Sequence, residues 1–222
     1  MKKTNAPTDG GPDKREKERS LSPAEQRRLA SFETLSETMV GQGWRRTELT
    51  VGIVKANVFA VVLLIPLLIV GIGLFLWKNR TFSGHFMPGS FLVFFVLLLV
   101  LVVVHELIHG LSWAIFSPRH WKDIEFGVMK QYLTPYCACC VPLSKGQYIF
   151  GALMPLVLLG ILPMIVGILV GSAPVMFMGV IMADAAAGDI LIVRKILRCR
   201  TTAEQVLYID HPTQAGGVIF EK

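Results

Sequence analysis

Polar and apolar positions separate sharply along the chain. Residues 1–50 are largely polar, and four long apolar runs follow, at roughly 52–77, 91–116, 148–170 and 174–193. Each run approaches or exceeds the ~20 residues that an α-helix needs to cross a ~30 Å hydrocarbon core. The pattern predicts an all-α polytopic membrane protein with about four transmembrane helices. Pro155 and Pro163 fall inside the third run, where a membrane helix tolerates proline better than a soluble one. Between the second and third runs, WKDIEFGVMKQYLTPYCACCVPLSKGQ shows short apolar alternation broken by Gly127, Pro135 and Pro142. That predicts strands at Ile124–Met129 and Tyr136–Val141, a small β-hairpin at the cytosolic membrane edge.

The ends are predicted in less detail. TNAPTDGGPDKREKERS is too polar and too rich in Gly and Pro to bury a core, so disorder is expected there. Ser22 as N-cap, Pro23 at the first helical position and Gly41 as a stop then frame a short helix. The terminal EQVLYIDHPTQAGGVIFEK reads as a strand packed on the same membrane edge. Three regions result: an N-terminal region at 1–50, a transmembrane domain at 51–199 and a tail at 200–222. The polar start offers no apolar core followed by a cleavage site, so the first apolar run is expected to stay as an anchor.

Charge orients this arrangement. Lys and Arg number ten in residues 1–50, two in 78–90, four in 118–147, none in 171–173 and five in 194–222. By the positive-inside rule both termini and the 118–147 connection face the cytoplasm, and the second run passes from outside to inside. The net charge of +6 then serves topology and lipid headgroups, which argues against nucleic acid as a partner. Of the four cysteines, Cys137, Cys139 and Cys140 crowd into one YCACCVP stretch. That spacing is not a secreted disulfide framework. Packing as inert thiols, lipidation and a second metal site are the readings open to them, the last without a nearby histidine to complete it. Asn79-Arg80-Thr81 matches a glycosylation sequon, but so close to the membrane the match reads as accidental.

The second run holds VVVHELIHG. Ionisable groups at the bilayer centre cost at least ~2.5–3.5 kcal/mol each on insertion scales, and they persist when paired, ion-bound or hydrated. Positions i and i+4 share a helix face, so His105 and His109 can hold one metal ion. Glu106, one residue round the helix, is placed as the general base that takes a proton from the attacking water. Zinc suits imidazole ligands and, with three protein ligands, keeps a position open. For the third ligand the fourth run offers Asp184 and Asp189. At ~1.5 Å per residue, His105 and His109 lie ~21 and ~27 Å along their segment, Asp189 ~22 Å along its own and Asp184 ~15 Å. Asp189 fits better, and Gly188 beside it permits close helix approach. Asp184 is then expected to orient an imidazole N–H. The competing reading of Asp189 is a helix-end acid paired with Arg194 or Lys195. The other histidines, His85, His120 and His211, lie in a loop, just beyond the second run, and in the tail.

HELIHG in one membrane helix and GDILI in a later one resemble the bacterial putative zincin peptidase membrane family, which is similar in turn to the site-2 class of intramembrane metalloproteases. The resemblance spans roughly residues 45–200, including LSKGQYIFGALMP. It implies zinc held by His105, His109 and Asp189, water activated by Glu106, a bacterial cytoplasmic membrane, and a membrane protein or peptide as substrate. The site-2 class usually carries an Asn/Pro-rich stretch ending in Asp-Gly around its aspartate, where this chain has Ala-Ala-Ala-Gly188-Asp189-Ile190. The reading from another class is a metal-binding transport or regulatory protein without proteolysis. Transporters spread polar groups over several helices or repeats, whereas here they concentrate in two runs.

Overall fold

A computed structural model describes residues 21, 23–81, 88–129 and 134–222. The expected disorder before Ser20, the Ser22 cap and His85 lie outside the described residues. Helix α1 spans Pro23–Gly41, with Pro23 opening it as anticipated, and strand β1 spans Arg45–Thr50. Two long helices follow, α2 at Ile53–Asn79 and α3 at Pro88–Ala114. A 3₁₀ turn at His120–Asp123 leads into β2 (Ile124–Met129) and β3 (Thr134–Cys139). Strand β4 (Leu143–Ser144) runs into α4 (Lys145–Pro155), which continues through a π-helical stretch at Leu156–Ile161 into α5 (Leu162–Val170). Helices α6 (Ala173–Ala185) and α7 (Ala187–Arg198) precede β5 (Val206–Asp210) and β6 (Gly216–Glu221).

Among the described residues, three helices are long and apolar enough to cross a membrane: Ile53–Asn79, Phe91–Ala114 and the continuous Lys145–Val170. The fourth predicted crossing is instead a pair, α6 and α7, bent by 47° at Ala186, and it makes a fourth span only if the pair is taken as one. The all-α expectation also needs correction. A four-stranded antiparallel sheet in the order β1-β6-β5-β4 lies at one end of the helices, beside the two-stranded β2-β3. The first hairpin strand is where the alternation put it. The second runs Thr134–Cys139 rather than Tyr136–Val141, in register Ile124↔Cys139 to Met129↔Thr134.

The tail forms half of the larger sheet because its alternation serves two cores. Tyr208 and Ile219 pack with Trp113, Leu143, Tyr148 and Ile196 against the helix ends. Ile209, Val218 and Phe220 face the other way, onto Phe32 and Met39 of α1. A sheet buried on both faces is anchored by apolar area, at roughly 25 cal/mol per Å². Within the helices, Phe75 of α2 meets Ile168 of α5 and Met176 and Val180 of α6. There Gly167 and Gly179 let α5 and α6 touch backbone to backbone, since a Cβ on Gly179 would run into the Met164 backbone of α5 and one on Gly167 into the Met176 backbone of α6. Small residues do this in membranes because lipid gives apolar side chains no reason to leave it.

Candidate metal centre

Helix α3 presents His105, Glu106 and His109 where it passes between α4, α7 and β3. The two imidazoles are buried, unlike the apolar outer part of the same helix. Their ring centroids are 4.9 Å apart, as one helical turn dictates. Asp189 comes from the first turn of α7. Its Oδ2 lies 3.3 Å from His105 Nε2 and its Oδ1 3.5 Å from His109 Nε2. One ligand atom from each of the three residues falls within 4.8 Å of the others, and this is the one such trio among the described residues. Lys195, offered by the sequence as a partner for Asp189, donates its Nζ to the Thr50 carbonyl at 2.6 Å.

The sequence around α4 explains how His109 is set. A helical carbonyl normally accepts from the N–H four residues on, but residue 155 is proline and has none. The Gly151 carbonyl left over lies 2.9 Å from His109 Nδ1. A carbonyl only accepts, so Nδ1 carries a proton, and Nε2 is the nitrogen turned toward Asp189. Gly151 is also required as glycine, because a Cβ there would run into the Trp113 indole. Trp113 in turn stacks on His109, 5.1 Å between centroids and 13° between planes, and donates its Nε1–H to the Tyr148 carbonyl at 3.1 Å.

These contacts test whether a metal fits. With Nδ1 committed to Gly151, Nε2 is the ring atom left to give a lone pair to a cation beside the Asp189 carboxylate. Two imidazole nitrogens and a carboxylate form a donor set that zinc accepts in catalytic sites. The residues present fit such an ion. Asp184 does not play the part expected of it. Neither imidazole N–H goes to it: His109 Nδ1 is taken by Gly151, and both His105 Nδ1 and Asp184 Oδ1 are buried without a hydrogen-bond partner. Asp184 sits on α6, before the bend that turns α7 and Asp189 toward α3.

A cavity of about 220 Å³ opens beside the trio, lined among others by Glu106, Cys137, Arg28, Asp210 and His211. The Glu106 carboxylate accepts a hydrogen bond from the Cys137 amide. Two positions further along β3, the Cys139 amide donates to Asp210 Oδ2 at 2.7 Å, while Tyr148 Oη donates to Asp210 Oδ1 at 2.5 Å. Burial pushes the Asp210 carboxyl up to about 6, against the opposing pull of these two donors. His211 Nδ1 accepts from the amides of Thr213 and Gln214 at 3.2 and 3.0 Å, and burial keeps its pKa below the usual value. His120 stands apart, its Nδ1 donating to the Ala114 carbonyl at 2.9 Å.

The sequence reading missed Trp113, Tyr148, Asp210 and Arg28. Asp210 had one signal, a lone acid closing the apolar VLYI strand; the other three look like ordinary core or surface residues until the chain is folded. Of the clustered cysteines, Cys139 is buried and Cys137 and Cys140 are half-buried. All are free, burial raises Cys139 and Cys140 to about 12 and Cys137 higher still, and none joins a metal-ligating group among the described residues. The sequon Asn79 is likewise structural, donating Nδ2 to the carbonyls of Phe75 and Ile168.

Residues 97–203 match the model of a family described as Putative zincin peptidase, the family that the motifs resemble. No curated protein and no solved structure matches the chain.

Proposed function

From that match and the geometry beside it, we propose that the chain is an integral membrane zinc metallopeptidase that hydrolyses peptide bonds in or near the bilayer. The observation that carries the reading is the convergence of His105 Nε2, His109 Nε2 and the Asp189 carboxylate next to Glu106 in one cavity. Zinc held by these three residues would supply Lewis acidity, making a water acidic and stabilising negative charge on a carbonyl oxygen. The chain supplies the rest. Gly151 fixes the His109 tautomer, and Asp189 neutralises charge in an apolar surrounding. Glu106 takes the proton from the attacking water and returns it to the leaving amine. The site lies at the end of the helices that carries the sheet and most of the described Lys and Arg residues, the end that the positive-inside rule assigns to the cytoplasm, here of a bacterial cell in this reading.

A peptide must leave helical form to be cut, because helical carbonyls are already hydrogen-bonded. The edge of β3 that is not paired with β2 suits an extended segment by strand addition, with the Cys137 amide as its donor. A substrate strand adding there takes the Cys137 amide from Glu106 and leaves that carboxylate free to accept a proton. The substrate is a membrane protein or peptide in this reading.

The test is Glu106→Gln in purified protein, with zinc counted by mass spectrometry and cleavage followed on a panel of membrane-anchored peptides. Zinc near one equivalent in both forms, with turnover lost in the variant, supports a peptidase. Equal zinc and no cleavage by the unmodified chain points to a metal-binding transport or regulatory protein instead.

A further inference from the structure

Among the described residues lining the cavity that holds His105, His109 and Asp189, Arg28 is the one Lys or Arg, and its side chain is held from several sides. Its Nε donates to the Pro212 carbonyl at 2.6 Å. Its guanidinium lies over the Tyr136 ring, 4.6 Å from the centroid, with the Tyr136 hydroxyl also in reach. Its Nη1 is buried with no hydrogen-bond partner. Two acids share the surroundings: Glu25, one turn earlier on α1, lines the same cavity, and Asp210 lies within electrostatic reach. Neither hydrogen-bonds Nη1.

A guanidinium that is fixed at one nitrogen, stacked on an aromatic ring and unfilled at another is organised to receive an acceptor at little entropic cost. The acceptor that best matches its charge and planar fork is a carboxylate. Tyr136 precedes Cys137, whose amide contacts Glu106, and an extended strand advances ~3.3 Å per residue. A chain lying along β3 would therefore bring to Arg28 a group from within a few residues of the bond beside Glu106.

We propose that Arg28 forms a carboxylate-recognising subsite at the rim of this cavity, selecting peptides with an acidic side chain or a free C-terminus near the bond to be cut. The inference rests on the peptidase reading for its substrate class, and on Arg28's own contacts for its chemistry. Peptides without a carboxylate leave the Nη1 donor buried and unpaired, and are disfavoured for that reason.

The experiment measures binding, so that it does not depend on turnover. Full-length Glu106→Gln protein, zinc-loaded in lipid nanodiscs, is titrated with three fluorescent peptides of one parent sequence. One carries a glutamate three positions from the centre and a C-terminal amide, one a free C-terminus and no acid, and one neither. One of the first two is expected to bind about tenfold or more tighter than the third, the scale of a charge-assisted hydrogen bond, and which one does so identifies the source of the carboxylate. Adding Arg28→Met should collapse that ratio toward one, while Arg28→Lys retains part of it. Three outcomes overturn the proposal: a ratio of one in the Glu106→Gln protein, a ratio that survives Arg28→Met, or no binding of any peptide. An equal weakening of all three peptides by Arg28→Met with the ratio kept is the second of these, and makes Arg28 a strut between α1 and the hairpin. If the unmodified chain cleaves nothing while the ratio behaves as expected, the subsite stands and the peptidase reading falls.

Discussion

The two halves of α3 have the same apolar character and opposite surroundings. From Phe91 to Val103 the helix exposes Leu92, Val96, Leu99 and Val103 among others, and little of the protein covers it. From His105 onward α4 and the hairpin cover one face, where His105, His109, Ser112 and Trp113 are buried, while Leu107 and Leu111 stay exposed on the other. Hydropathy alone does not distinguish a half left bare from a half walled by protein. The ionisable residues mark the difference, since they sit only where neighbouring elements supply partners. The cost of an unpaired charge in hydrocarbon is met here by placing the cluster at the covered end.

The sharpest way to break that comparison is to strip the covered half of its ligands. His105→Ala, His109→Ala and Asp189→Ala are each expected to lower zinc content from about one equivalent to a few per cent, read by metal analysis after gel filtration. Asp184→Ala is expected to leave it unchanged, because Asp184 reaches neither imidazole. Glu106→Gln keeps the zinc and costs about 10²–10⁴ in turnover, the range for general acid–base catalysis.

A smaller effect is expected one layer out. Pro155→Ala restores an N–H that competes with His109 for the Gly151 carbonyl. Loss of a group that orients a metal-ligating histidine typically weakens metal affinity ~10–100-fold, so the variant should release zinc to a competing chelator at correspondingly lower concentration. Its α4 should be straighter and no less stable, which separates this prediction from simple misfolding.

Asp210 ties β3 to the tail sheet, and its pH dependence has a definite sign. Its folded value, about 6, lies above the ~3.9 of an unfolded aspartate, so the folded state holds the proton more tightly. The stability this provides is complete below about pH 4, is lost as pH rises through about 6, and changes little above that. The thermal midpoint should therefore fall between pH 5 and pH 7.5. Asp210→Asn, which cannot ionise, should flatten that part of the profile even if one donor goes unmet.

How much of this could be read beforehand follows the same division. Helix α2 and the first hairpin strand were legible because periodicity and length are local properties. The closeness of His105 and His109 was legible because helical geometry fixes it, and Asp189, matched to them by depth on two helices taken to run the same way, lies within 3.5 Å of both. The larger sheet was not legible. Strand β1, RRTELT, is mostly polar and gains its place only by pairing with a segment 171 residues later, Thr50 with Gly216 at one end and Arg45 with Glu221 at the other. The bend at Ala186 was equally hidden, since Ala-Ala-Ala-Gly shows no strong breaker of a membrane helix. Arg28 and Asp210 gain meaning only from neighbours far off in sequence: Arg28 from Tyr136 and Pro212, Asp210 from Cys139 and Tyr148.

The smallest expected effect lies in the bare half of α3. Val96→Ala, Leu97→Ala and Val100→Ala each remove methyl groups that face outward and leave no internal cavity. The large penalty of a core truncation comes from the cavity left behind, and lipid or detergent fills an outer surface. Each variant should shift stability by less than about 0.5 kcal/mol, as for surface positions generally, with zinc content and turnover unchanged. Loss of turnover with zinc and stability intact would show instead that this face meets something in the membrane other than lipid. The bare half of α3 would then take part in function beside the covered one.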